Sequence, residues 1–259
     1  MKRALWCDIQ KAKIPQEVVS ERYDIVFWGS DCCERLIPTF SELRSVYHQA
    51  MDLGLQMGLK TPVISEFVLN DYCELVRQII EANMKIFITV NDWGLLNYLT
   101  EHRQDCVTVI IGRFLTRQKT DPLTEHIRAQ IPEEVYKHFC TPTLLNQFFV
   151  DYAYHNDIHF FEIDNVKSTI DLPVLMHPYE IMLSYPYVMT ALTRYCPYYQ
   201  INEPYLRIRM CSAECRNNCL SISSCVQGEY CYKENAIAYI NSVLPDNIPI
   251  SILLDEEGR

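Results

Sequence analysis

Short apolar runs alternate with longer amphipathic stretches over the first two thirds of the chain, as expected of parallel strands joined by helices. The runs predict strands at 3–8, 24–28, 61–66, 85–90, 107–111, 158–163 and 172–176. Between them, 41–59 reads as a helix with Leu43, Val46, Tyr47 and Ala50 on one side, and 71–83 and 92–102 read as further helices. The interval 119–156 is less regular, and its pattern assigns no strand. The expected fold class is α/β: a TIM-like β/α barrel, complete or distorted, formed by residues 1–259 as a single barrel domain, with a cysteine-rich segment at 196–231.

The residues just after each predicted strand carry the chemistry. The first strand ends at Asp8, the second runs into Gly29-Ser30-Asp31-Cys32-Cys33, the third into Glu66 and the fourth into Asn91-Asp92. Gly112-Arg113, Asp164-Asn165 and His177 come after the fifth, sixth and seventh. In a parallel barrel all these positions lie at the C-terminal rim, where polar side chains converge on a ligand. Helix capping accounts for any one Asp, Asn or Ser. It does not account for a glycine, an arginine and paired cysteines on the same rim.

Length and an apolar content of 49% in 259 residues permit a large core. The net charge of -10 gives no basic footprint, so nucleic acid is not an expected partner. No apolar run follows a basic start, and none reaches about 18 residues, so the expectation is a cytoplasmic protein with no membrane span. In that compartment 12 cysteines point to metal or redox chemistry rather than disulfides.

The cysteines fall into two groups. Cys7, Cys73, Cys106 and Cys140 stand singly in apolar surroundings, as small hydrophobes do. Six of the 12 lie between Cys196 and Cys231, and Cys196, Cys211, Cys215 and Cys219 give C-x14-C-x3-C-x3-C. Structural zinc favours paired C-x2-4-C knuckles, whereas iron-sulfur clusters accept irregular spacings and ligands from distant loops. The spacing leans towards iron and leaves zinc open.

Ile25-Val-Phe-Trp-Gly-Ser-Asp-Cys-Cys-Glu-Arg35, Val90-Asn-Asp-Trp-Gly94, the approach Tyr185-Pro-Tyr-Val-Met-Thr-Ala-Leu-Thr-Arg-Tyr-Cys196 and the pair Cys211-x3-Cys215 occur in this order. Together they resemble the collagenase-like peptidase family U, number 32, and within it the UbiV-type proteins of oxygen-independent hydroxylation. The pair Asp164-Asn165 is similar to the Glu-x-Asp-Asn element of the wider family. The resemblance implies Cys33, Cys196, Cys211 and Cys215 as ligands of one 4Fe-4S cluster. Cys32 can replace Cys33, and Cys219, Cys225 and Cys231 are additional thiols. It further implies a small-molecule substrate, prephenate as oxygen donor, and a heterodimer with a related UbiU-like protein.

Beside such a cluster Asn91, Asp92, Arg113 and His177 are the candidates for a substrate pocket. The Arg113 fork suits a carboxylate. Asp92 suits proton transfer or a substrate hydroxyl, with a helix cap as the plainer role. His177 precedes Pro178 and therefore sits in extended chain, as a base or as a structural histidine. Tyr152, Tyr154, Tyr179, Tyr185, Tyr187, Tyr195, Tyr198 and Tyr199 suit core packing, a partner interface or an aromatic pocket. The rival readings are a peptidase or hydrolase, for which the sequence offers no Ser/His/Asp, Cys/His or His-Glu-x-x-His arrangement, and a non-catalytic iron-sulfur scaffold or electron carrier.

Overall fold

The computed structural model describes residues 1–9, 14, 22–102, 104–121, 124–192, 211, 213, 215, 225–227, 230–233 and 236–256. Eight strands build the frame: β1 (Lys2–Asp8), β2 (Ile25–Gly29), β3 (Gln56–Lys60), β4 (Ile86–Val90), β5 (Val107–Ile111), β6 (Phe160–Asp164), β7 (Glu180–Tyr185) and β12 (Ile252–Asp255). They pair in parallel in the order β1-β12-β7-β6-β5-β4-β3-β2 and close into a barrel. Helices α1 (Phe40–Asp52), α2 (Glu66–Glu81) and α3 (Trp93–His102) follow β2, β3 and β4. The β5–β6 connection holds α4 (Arg113–Thr116), α5 (Thr124–Ile127), the 3-10 turn Arg128–Gln130, α6 (Glu133–Cys140) and α7 (Gln147–His155). The expected TIM-like α/β barrel is therefore present.

Local chemistry sets the helix limits. Thr39 Oγ1 accepts from Glu42 N at 3.3 Å while Thr39 N donates to Glu42 Oε2 at 2.7 Å, a reciprocal cap that starts α1. Gly54, at φ 73°, stops it. The chain then has room for β3 at Gln56–Lys60, so the predicted helix 41–59 is too long and the predicted strand 61–66 lies beyond the true one. Residues 172–176 also form no strand. Leu172 and Leu175 pack on the core, but Val174 and Met176 are exposed, and the seventh barrel strand is β7. The other five predicted strands coincide with barrel strands to within two residues at each end.

Alternation divides the core in two. One set of strand residues faces the helices and joins the buried stripes of α1, α2 and α3. The other faces the barrel axis: Ala4, Trp6, Ile25, Phe27, Ile110, Met182, Ile252 and Leu254, with Phe87 and Phe160 against them. Two positions further along, the same strands turn polar: Lys60 on β3, Thr89 on β4, Glu162 on β6 and Ser184 on β7 are all buried. The barrel is thus filled with hydrocarbon below and with charge at its C-terminal mouth.

Between β7 and β12 the described residues form a second sheet. Strands β8 (Tyr187–Leu192), β9 (Cys225–Gln227), β10 (Tyr230–Lys233) and β11 (Ala236–Ile240) pair antiparallel in the order β8-β11-β10-β9. This cover sheet meets the barrel mouth. Met189 N donates to Asp164 Oδ1 at 3.4 Å, and the Lys233 ammonium lies 4.1 Å from the centre of the Trp6 ring.

Gly29 ends β2 at φ 134°, and a Cβ there would lie 2.4 Å from the Lys60 carbonyl oxygen. Gly29→Ala therefore combines a conformation closed to L-residues with a backbone overlap. Denaturant unfolding is expected to show a loss of at least about 2 kcal/mol. A parental midpoint would show that β2 and β3 separate at no cost.

Candidate functional site

Six charged side chains from five parts of the chain meet at the C-terminal mouth, and none is more than 5% exposed. Asp31 follows β2, Lys60 ends β3, Arg113 opens α4, Glu162 and Asp164 lie on β6, and Glu256 follows β12. Asp31 Oδ2 is the centre of the set: it accepts from Arg113 Nη2 at 2.7 Å and Nε at 3.2 Å and lies 3.0 Å from Lys60 Nζ. Lys60 Nζ also donates to Glu162 Oε1 at 2.6 Å, where Ser184 Oγ donates at 2.5 Å. Arg113 Nη1 donates to Asp164 Oδ1 at 3.0 Å, and Nη2 to Glu256 Oε1 at 2.5 Å. The barrel strands thus converge on one ion cluster.

Its electrostatics follow from burial and partner count. Burial opposes the charge on Asp31, but Lys60 and Arg113 outweigh it and hold the carboxyl below its ordinary range. Burial likewise opposes the Lys60 and Arg113 charges, and the surrounding carboxylates raise both groups above their ordinary values. For Asp164 and Glu256 burial prevails over Arg113, pushing Asp164 up to about 6 and Glu256 up to about 7.

The expected pocket residues separate. Asn91 is at the mouth: its Nδ2 donates to Thr61 O at 2.8 Å and its Oδ1 accepts from Phe114 N at 3.0 Å. Asp92 caps α3, with Oδ1 accepting from Gly94 N at 2.8 Å and Leu95 N at 3.2 Å. Arg113 is buried and its fork is occupied by the protein's own carboxylates. His177 precedes β7 instead of following a strand, because 172–176 is loop. It stacks on Tyr154 of α7 with ring centres 3.9 Å apart, at the opposite mouth. A cavity of about 310 Å³ at that mouth is lined by Asp105, Val107, Thr108, Asp157, His159 and Phe160, remote from the ion cluster.

Two cysteines, Cys32 and Cys231, meet on the covered face. Ser30 Oγ accepts from Cys33 N at 2.9 Å and Cys32 N at 3.3 Å, which shapes the loop after β2. Cys32 is buried with Met189, Ala236 and Ala238 of the cover sheet, and Cys231, Tyr187 and Phe114 pack against this group. Cys33 belongs to the main core, against which Ala213, Cys215 and Tyr230 pack. Cys211 and Cys215 are half-buried, while Cys196, Cys219 and the Cys225 side chain lie outside the described residues. Among the described residues no group of three or more His, Cys, Asp or Glu side chains is arranged to hold a metal ion. Cys7, Cys106 and Cys140 are buried and Cys73 is half-buried, in keeping with packing roles. No described helix is long and apolar enough to cross a membrane.

Asp31, Lys60, Glu162 and Glu256 are not singled out by the sequence pattern. Asp31 is visible there as an acid just after a strand. Lys60 falls between the predicted helix 41–59 and the predicted strand 61–66, and Glu256 lies beyond the last predicted strand. No family model matches the chain, and no curated protein or solved structure does.

Two measurements test the cluster. Lys60→Met leaves Asp31 and Glu162 without their shared ammonium and is expected to cost about 3–5 kcal/mol in denaturant unfolding. The second is the pH slope. Because Asp164 and Glu256 have raised values in the fold, the folded state binds more protons than the unfolded chain from about pH 4 to about pH 7, and their contribution to stability is lost as pH rises through that window. Asp31 acts oppositely, its contribution being lost on acidification below its ordinary value. Thermal midpoints across the upper window should fall with rising pH, and less steeply in Asp164→Asn. Equal slopes in parent and variant would mean that Asp164 is not protonated on folding.

Proposed function

We propose that the protein is a 4Fe-4S-cluster-binding barrel that uses Cys33, Cys196, Cys211 and Cys215 as ligands and acts on a small organic molecule. One observation carries the reading. Cys32, beside Cys33 in the loop after β2, and Cys231 of the cover sheet belong to one packed apolar group, so two cysteine-bearing regions remote in sequence share a face. The donor chemistry fits. Thiolates from separate loops suit an iron-sulfur cluster, and the half-buried state of Cys211 and Cys215 provides the partial shielding such ligands need.

When bound, the cluster supplies one-electron chemistry at a potential set by burial and by hydrogen bonds to its sulfurs. The chain's own residues do the rest. Ser30 shapes the cysteine loop, the cover sheet keeps bulk water from the barrel mouth, and Arg113 neutralises the carboxylates beneath it. The resemblance to UbiV-type proteins supports oxygen-independent hydroxylation, with prephenate as donor and a UbiU-like partner subunit. Complete burial of the ion cluster favours a second reading, a non-catalytic iron-sulfur scaffold or electron carrier, since no substrate reaches those groups while the cover sheet is seated.

Anaerobic purification with iron, sulfide and zinc analysis and visible absorption tests the cluster. Cys211→Ala and Cys215→Ala are expected to lose most of the iron and the colour. Cys7→Ala, Cys73→Ala, Cys106→Ala and Cys140→Ala are expected to keep both. A colourless parent protein with stoichiometric zinc would replace the iron-sulfur reading by a structural zinc site.

A further inference from the structure

Among the described residues the charges at the barrel mouth do not balance. Asp31, Glu162, Asp164 and Glu256 face Lys60 and Arg113, all six more than nine-tenths buried, with the half-buried Lys233 beside them. Carboxylates in excess of their cations are strongly disfavoured away from water, and the cheapest remedy is a proton.

Two oxygens show where a proton is wanted. Glu162 Oε2 and Glu256 Oε2 have no hydrogen-bond partner among the described residues. Glu162 is compensated through its other oxygen, which meets Lys60 Nζ at 2.6 Å, Ser184 Oγ at 2.5 Å and Arg113 Nε at 3.7 Å. Among the described residues Glu256 has one ion-pair contact, Arg113 Nη2 at 2.5 Å, and Asp31 Oδ2 draws on the same nitrogen at 2.7 Å. The remaining charges around Glu256 do not change this ranking. Asp31 from the β2 loop repels its negative charge, Lys60 on β3 attracts it but is held by Asp31 and Glu162, and Lys233 on β10 attracts it from a seat over the Trp6 and Tyr187 rings. Glu162 and Asp164 on β6 compete for Arg113, and Asp255, beside Glu256, accepts from Tyr23 Oη at 2.6 Å.

We propose that Glu256 is a proton-holding site: its carboxyl carries an exchangeable proton on Oε2 at neutral pH and gives it to a developing oxyanion on a small organic molecule admitted beneath the cover sheet. The proton site stands on the geometry alone, whereas the donor role rests on the enzymatic reading above. In the transfer the Oε2–H bond breaks, its electron pair stays on Glu256, and the acceptor oxygen takes the proton. Arg113 and Lys233 then face the carboxylate, and a solvent proton restores the acid. Burial pushes Glu256 up to about 7, which agrees with this assignment.

Infrared difference spectroscopy of the whole protein, titrated from about pH 5 to about pH 9, reads the carbonyl stretch of protonated carboxyls. A component with a midpoint near 7 is expected to shift on solvent deuteration, to be absent in Glu256→Gln and to persist in Glu162→Gln. Should Glu256→Gln not fold, parent protein with carbon-13 glutamate is to show a carboxyl carbon titrating near 7. Absence of any glutamate titrating above about pH 6, or an intact band in folded Glu256→Gln, overturns the site. For the donor role, Glu256→Gln is expected to keep parental iron and lose about a hundredfold in turnover of the anaerobic hydroxylation. Parental turnover overturns that role. A protein without iron removes the enzymatic reading and, with it, the donor role, but leaves the infrared result to decide the proton site.

Discussion

Two cations and four carboxylates shut inside one barrel mouth are the constraint around which the remaining structure is arranged. Each charge alone would be costly to remove from water, and only convergent partners offset that cost. The partners come from β3, β6, α4 and the segments after β2 and β12, so they meet only when the barrel is closed. An open or slipped sheet would strand at least one ion, and a shift of one residue would turn Lys60 and Glu162 towards the helices. The ion cluster therefore selects register and closure, while the apolar layer of Trp6, Phe27, Phe87 and Phe160 below it supplies the hydrophobic stabilisation.

The cover sheet belongs to the same scheme. A βα-repeat would place a helix between β7 and β12. Among the described residues of that interval four antiparallel strands bring backbone groups to the mouth: Met189 N for Asp164, and Tyr187 O for Arg113 Nη1 at 3.4 Å. Side-chain amides fix its base, with Asn241 Nδ2 donating to Asn165 O at 2.9 Å and Asn165 Nδ2 to Asn241 O at 3.0 Å. The element that carries Cys231 is thereby tied to the element that carries Asp164.

How much of this is legible in the sequence depends on what a pattern encodes. Val107–Ile111 reads correctly because a short β-branched run bounded by polar residues has few alternatives. The barrel class comes from the repetition of such runs, and Asp92 as a helix cap is visible as its plainer role. β3 escapes the pattern because Gln56-Met-Gly-Leu-Lys60 lacks β-branched residues and continues the apolar spacing of α1, although Gly54 marks the break. That one boundary hides Lys60. His177 is misplaced by the same route: Leu172 and Leu175 are apolar and packed, but Pro173 and Pro178 bracket a stretch that joins no ladder. The ion cluster has no local signature, since its members lie up to 143 residues from Arg113, and strand-end acids look like helix caps until the barrel closes.

Arg113 shows why residue type at a rim position does not by itself identify a ligand contact. An arginine after the fifth strand of a parallel barrel is well placed to grip a carboxylate, and here it does so, but the carboxylates belong to the chain. Three of them draw on its five donors through close contacts, so an external anion would have to displace a buried partner and leave that partner uncompensated. Lys233 is the contrasting case. It is half-buried and reaches the mouth from the cover sheet between two aromatic rings, so it is the mouth cation that the cover sheet contributes. With Lys233 supplied by the cover sheet and Arg113 by the barrel, the charge of Glu256 is countered by cations from two separate layers of the fold, and burial still prevails over both.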